Sequence, residues 1–152
     1  MIVRRALPSE LRVIMALEQA CAEAPHWSEM AWSRVLAEGE KSEPARAIFV
    51  AEEAGQLVGF VVVGCAGGVA EVESIAVAEA ERRRGVGRAL CSEAIAWARG
   101  RAAQEIELEV RASSGGALAL YGSLGFIEKG RRPGYYRDPT DDAVLMSARL
   151  HA

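Results

Sequence analysis

The sequence predicts a mixed α/β domain in which strands and helices alternate, and three observations carry that prediction. Runs rich in β-branched residues at 45–52, 56–66 and 69–77 are separated only by the short glycine turns Ala54-Gly55 and Gly67-Gly68. The period then changes, because Val86, Leu90, Ala94 and Ala98 fall on one stripe of a helix spanning 85–103. Strict alternation returns at 105–111, where Ile106, Leu108 and Val110 face one way and Glu105, Glu107, Glu109 and Arg111 the other. No linker or repeat interrupts the 152 residues, so a single domain over 1–152 is expected.

Each element has a local reason. Residues 2–6 suit a short opening strand, and Pro8-Ser9-Glu10 suits the first turn of a helix with Leu11, Ile14, Met15 and Leu17 at helical spacing, ending near Ala24-Pro25. Ser28 can cap a second helix carrying Met30, Val35 and Leu36, which gives way to the charged loop 38–44. The glycine turns imply an antiparallel meander, whereas the strand–helix–strand passage from 69 to 111 implies a right-handed parallel crossover. Ser113-Ser114 can cap a further helix with Ala117, Leu120, Tyr121 and Leu124, which Gly125 ends in the left-handed conformation. Strands around 126–136 and 143–150 complete the series.

Composition narrows the function classes. With 51% hydrophobic and 26% charged residues the chain is that of a folded soluble protein. Eighteen basic against 21 acidic residues, a net charge of −3, argue against general attraction to nucleic acid or to anionic membranes. Cys21, Cys65 and Cys91 form no CxxC pair and there is no His pair at ligand spacing, so a reduced, metal-free protein is expected. The N-terminus lacks the apolar core of a secretory signal and the longest apolar run, about 58–66, is too short to span a bilayer, which together predict a cytoplasmic location.

The most informative stretch is Arg82-Arg83-Arg84-Gly85-Val86-Gly87-Arg88-Ala89-Leu90, between a predicted strand and a long predicted helix. Glycines allow close backbone approach to a ligand, and free amides at a helix start favour phosphate oxygens. The run contains neither GxxxxGK[ST] nor a full GxGxxG. Taken alone, it reads equally as an exposed basic turn. Glu109, on the face of its strand away from the core, could meet a substrate or simply pair with Arg111.

The R/Q-x-x-G-x-G/A pattern after a strand resembles the acetyl-coenzyme A motif of the GNAT superfamily of N-acetyltransferases. Further on, Leu108-Glu109-Val110-Arg111-Ala112-Ser113, Ala119-Leu120-Tyr121, Leu124-Gly125-Phe126, Tyr135-Tyr136 and Asp141-Asp142-Ala143 resemble the RimI family, whose members acetylate the N-terminal alanine of a small-subunit ribosomal protein. The resemblance is collinear over nearly the whole chain and strongest from Glu71 onward. It implies a mostly antiparallel sheet with a central parallel pair splayed at the cofactor site, and acetyl-CoA as co-substrate with no metal. It further implies that Ile75, Ala76 and Val77 meet the pantetheine arm and that Arg83, Arg84, Gly85, Val86, Gly87 and Arg88 hold the pyrophosphate. Ser114 stands where the family commonly has Asn, a shorter polar contact to the cofactor, and Gly115-Gly116 follow in place of better helix formers.

By the same resemblance Glu109 is the general base and Tyr121 the general acid, in direct transfer without a covalent enzyme intermediate. Glu73 and then Glu71 are rival bases, since some GNAT enzymes carry the carboxylate on the earlier strand. Pro25-His26-Trp27-Ser28 resembles the family's P-W-S segment, which makes Trp27, together with Tyr135 and Tyr136, a substrate-binding candidate; packing against the second helix is the other role open to Trp27. The implied acceptor is a protein N-terminus, foremost an alanine of a ribosomal protein. An α-amine, with a reference pKa near 7.7–8.0 against about 10.4 for lysine, asks less of a carboxylate base. A lysine side chain, a small amine and a non-catalytic acetyl-CoA-binding role are the alternatives.

Overall fold

The alternating pattern builds one seven-stranded sheet with helices on both faces. The structure, a computed structural model, describes residues 1–21 and 24–151. The strands are β1 (Ile2–Arg5), β2 (Arg46–Glu53), β3 (Gln56–Ala66), β4 (Val69–Val77), β5 (Glu105–Arg111), β6 (Ile127–Tyr136) and β7 (Asp141–Arg149). The helices are α1 (Leu11–Ala20), α2 (Glu29–Gly39), α3 (Val86–Gly100) and α4 (Gly115–Ser123). The sheet order is β1-β2-β3-β4-β5-β7-β6, and every neighbouring pair is antiparallel except β4 and β5.

Two helix starts follow the expected chemistry and one does not. Ser28 caps α2 by accepting from the Ala31 N–H at 3.1 Å. Pro8 opens a single 3₁₀ turn, with α1 following directly. At α4, Ser114 occupies the N-cap position but its side chain makes no capping bond, while the Ser113 hydroxyl donates to Asp141 Oδ2 at 2.5 Å. The expected serine cap of α4 is thus corrected: the tertiary contact to β7 takes the hydroxyl that the local motif would use. Gly115 and Gly116, weak helix formers, nonetheless make the first turn of α4. The expected extension of α1 towards Ala24-Pro25 runs over residues 22 and 23, which lie outside the described residues; α1 ends at Ala20 and Cys21 is extended (φ −97°, ψ 109°).

Each face of the sheet has its own core. On one face α3 lays Val86, Leu90, Cys91, Ala94 and Ala98 against Ala47, Phe49, Val61, Val63 and Ile106. Burial pushes the Cys91 thiol up to about 12, so this cysteine is an inert packing group. On the other face α1 and α2 bring Ile14, Trp32, Val35 and Leu36 onto Ile48, Val50, Phe60 and Val62.

Trp32, fully buried, sets its ring edge-on to Phe60 at 5.2 Å and donates from Nε1 to Glu18 at 2.9 Å. Trp32→Ala is expected to destabilise by about 3–5 kcal/mol. Trp32→Phe, which loses chiefly the N–H donor, should cost about 1–3 kcal/mol. Urea denaturation of both variants checks the ordering; a Trp32→Phe protein as stable as the wild type would rule out a distinct role for the donor.

Candidate active site

The site is made where β4 and β5 stop pairing. Their ladder covers only Val69–Glu71 against Glu105–Glu107, yet β4 continues to Val77 and β5 to Arg111. The two strands are the centre of the sheet, so their separation opens a cleft through its middle. A bulge accompanies it: Val62 pairs with Ser74 and Val63 with Val72, leaving Glu73 as the extra residue.

Two cavities meet at this cleft. The first, about 550 Å³, lies beside the α3 N-terminus and is lined by Ile75, Ala76, Val77, Arg83, Gly85, Gly87, Arg88 and Ser114 among others. The second, about 670 Å³, opens between Ala24-Pro25-His26 and β4 on one side and Tyr135, Tyr136 and Arg137 on the other. Ile75, Glu109, Arg111, Tyr121 and Tyr136 line both.

At the first cavity Gly85 sits at φ +83°, a left-handed conformation that side chains resist, and α3 begins at the next residue. A Cβ on Gly87 would come within 3.3 Å of Leu120 on α4, so a glycine there keeps the passage between the two helices open. The first turn of α3 offers unpaired amides and the positive end of the helix dipole. Arg88 is steered across to α4, donating to Ser123 Oγ at 2.6 Å. The Ser114 hydroxyl is buried and has no hydrogen-bond partner among the described residues, an orphan polar atom on the wall of this cavity.

At the second cavity β4 and β5 present Glu71, Glu73 and Glu109, with Glu107 close enough to act on Glu71. Arg46 grips Glu73 with both arms, at 2.8 Å and 2.7 Å. Lys129 reaches Glu105 at 3.3 Å and Glu107 at 3.5 Å. Glu109 pairs with Arg132 at 3.4 Å, whereas strand spacing leaves Arg111 open as its partner. Arg111 turns instead over the Tyr136 ring at 4.3 Å and donates to the Pro139 carbonyl at 3.2 Å. Partial burial, and then the charges of Glu73, Glu109 and Glu107, hold the Glu71 carboxyl above the usual carboxylate range.

Tyr121 is buried on α4, its ring edge-on to Phe126 at 5.8 Å. Tyr135 and Tyr136 stand edge-to-face at 5.2 Å near the end of β6. The hairpin bearing them is tied to the β5–α4 connection by Asp141, whose carboxyl is held below the usual range by the Ser113 hydroxyl.

The structure therefore brings together Ile75, Ala76, Val77, Arg83, Gly85, Gly87, Arg88, Ser114, Glu109, Tyr121, Tyr135 and Tyr136 around one cleft. It sets three candidates apart. Arg84 turns to Glu81 at 3.6 Å, Val86 is buried under α3, and the Trp27 ring packs on Trp32 at 4.9 Å while its neighbours Pro25 and His26 line the cavity. Arg82, Arg111 and Cys21 also line the first cavity. Of these, Arg82 and Arg111 stood within the quoted motifs, whereas nothing local to Cys21 marks it.

A central parallel pair that parts over a bulge, with a glycine turn and a helix start beside the gap, is the framework of an acetyltransferase, and the chain belongs to the Acetyltransferase (GNAT) family, whose profile matches residues 11–126. Within it the chain is similar to N-alpha-acetyltransferase RimI of Mycobacterium tuberculosis, 37% identical over an alignment of 124 residues that covers 79% of this chain and 73% of that protein. It is 38% identical over 95 residues to ribosomal protein bS18-alanine N-acetyltransferase of Escherichia coli K12, covering 61% of this chain and 64% of that one. The crystal structure of the ribosomal-protein-S18-alanine N-acetyltransferase from Escherichia coli matches with a TM-score of 0.83 at 28% identity, over 99% of this chain and 94% of that one. The resemblance read from the motifs thus holds at the level of family and fold.

Among the described residues no helix is long and apolar enough to cross a membrane, and no group of three His, Cys, Asp or Glu side chains is placed to hold a metal ion.

Proposed function

We propose that this chain, as one GNAT domain, transfers the acetyl group of acetyl-CoA to the N-terminal α-amine of a protein in the cytoplasm, foremost an alanine-starting ribosomal protein. The observation that carries the reading is the junction of two cavities at Glu109 and Tyr121, one with a helix start and basic rim, the other with a carboxylate and tyrosine lining. The relatives named above, which act on protein N-termini by their names, support the acceptor class.

The first cavity fits acetyl-CoA. The Gly85–Gly87 turn with Arg83 and Arg88 suits a pyrophosphate, the β4 edge from Ile75 to Val77, past the end of its pairing with β5, suits an amide-bearing arm, and the orphan Ser114 hydroxyl has a polar atom to meet. When bound, acetyl-CoA supplies a thioester carbonyl for the acceptor amine to attack. Glu109, reaching the cleft from β5, takes a proton from the acceptor ammonium, directly or through water. Tyr121 gives its phenol proton to the departing thiolate. Tyr135 and Tyr136 border the acceptor side.

Ser114→Ala should act in opposite directions on two measurements. Removing an unsatisfied buried hydroxyl should stabilise the free protein by about 1 kcal/mol, while acetyl-CoA affinity falls by about 2- to 10-fold through a lost hydrogen bond. Thermal denaturation and calorimetric titration check both signs; unchanged affinity would remove Ser114 from the cofactor site.

The functional test incubates the protein with acetyl-CoA and a peptide carrying an alanine-starting ribosomal-protein N-terminus, and locates the modified nitrogen by fragmentation mass spectrometry. Acetylation of the α-amine is expected. Modification confined to lysine or to small amines would overturn the acceptor class, and cofactor binding without any transfer would overturn catalysis.

A further inference from the structure

Glu18 of α1 is the one charged side chain that is fully buried among the described residues. A buried carboxylate costs several kcal/mol unless its oxygens are well met. Three neutral donors meet this one, and its two oxygens serve different parts of the fold. Oε1 accepts from the backbone N–H of Trp27 at 2.8 Å and from Trp32 Nε1 at 2.9 Å. Oε2 accepts from the Ser74 hydroxyl at 3.1 Å, on β4 beside the bulge.

Those two attachments lie behind two adjoining walls of the second cavity, which together face Tyr135, Tyr136 and Arg137. Trp27 follows Ala24-Pro25-His26, the wall formed by the α1–α2 connection, and Ser74 with Ile75 belongs to the strand wall. Among its described residues the connection has further anchors: the Ala24 N–H donates to the Cys21 carbonyl at 3.2 Å, His26, at φ +59°, reaches the same carbonyl through Nε2 at 2.6 Å, and the Trp27 ring rests on Trp32. A carboxylate is planar and accepts only, so it fixes both attachments at one spacing.

We propose that Glu18 is a positioning residue that sets the separation of these two walls, and thereby the size of the first acceptor side chain admitted beside Glu109 and Tyr121. The inference rests on the reading of the second cavity as the acceptor site.

Ser74→Ala severs the strand arm alone and leaves Trp27 and Trp32 bonded. Glu18→Gln keeps both arms, since its amide oxygen accepts from the two tryptophan N–H groups and its NH₂ donates to Ser74. Glu18→Leu leaves two N–H donors unmet and is expected to unfold part of the sample. The readout is therefore a ratio, kcat/KM for an alanine-starting peptide over that for an otherwise identical leucine-starting peptide, measured in competition. A variant that merely lowers the folded fraction scales both terms and leaves the ratio unchanged.

Ser74→Ala is expected to lower the ratio by about fivefold or more with acetyl-CoA affinity unchanged, and Glu18→Gln to hold it within about twofold. In hydrogen exchange, the Trp27 amide should exchange about tenfold faster in Glu18→Leu and stay protected in Glu18→Gln. A Ser74→Ala ratio equal to that of the wild type, or a Glu18→Gln ratio as low as that of Ser74→Ala, overturns the proposal. If the wild type acetylates no peptide α-amine, the acceptor reading itself fails and exchange alone decides: an unchanged Trp27 amide in Glu18→Leu then overturns the positioning role.

Discussion

Replacing Glu109 by Gln is expected to lower the rate of acetyl transfer by about 10²- to 10³-fold while acetyl-CoA affinity stays within about twofold. The size follows from removing a positioned proton acceptor and nothing else. The side chains are nearly isosteric, β5 keeps its full pairing to β7, and the ion pair lost is the one to Arg132, a residue mostly in solvent. Such exposed pairs contribute about 0–1 kcal/mol, so stability should barely change. Single-turnover kinetics beside calorimetric titration of acetyl-CoA makes the check. Full activity in Glu109→Gln would discard Glu109 as the base. Glu73 would be a poor replacement, because Arg46 occupies both of its oxygens. Glu71, whose carboxyl partial burial and then neighbouring carboxylates hold above the usual range and which forms no ion pair among the described residues, would then be the carboxylate to replace.

Tyr121→Phe should lower transfer by about 10²-fold, the lower end of the range for a proton donor, with little effect on folding. Its ring is buried edge-on to Phe126, and phenylalanine preserves that packing. The loss should shrink when the leaving thiol is more acidic, because a stable thiolate needs no proton to depart. Comparing acetyl-CoA with an acetyl donor bearing a lower-pKa thiol in wild type and Tyr121→Phe reads this directly. An equal loss with both donors would show that the phenol positions or packs and does not donate.

Both variants are legible in the sequence because their residues sit in motifs with local periodicity. Alternation over Glu105–Arg111 puts Glu109 on the face away from the α3 core, and the structure keeps it there. Gly85 and Gly87 mark a strand-to-helix turn, and α3 starts between them. The position of Tyr121 on a helix closed near Gly125 is likewise a local matter, decided by spacing and by one left-handed glycine. These are short-range properties, in which the backbone period alone decides which way a side chain points.

What local pattern leaves open is who answers whom across the fold. Glu109 finds Arg132 on β6 because β7 lies between the two strands in the sheet, an arrangement that strand spacing cannot express. Ser113 gives its hydroxyl to Asp141 and leaves Ser114 an orphan, although either could have capped α4 by the local rule. Trp27 packs on Trp32 while its neighbours line the cavity.

Local sequence pattern sets the order and kind of the elements, the family, and the glycine turn and acidic strand face that frame the cleft. Only the tertiary structure decided that β4 and β5 part after three paired residues, that a bulge at Glu73 accompanies the parting, and that Glu18 bonds to Ser74, 56 residues away. The reason is physical: period and turn chemistry act within a few residues, whereas a buried carboxylate is satisfied by whichever donors the chain's topology carries to it.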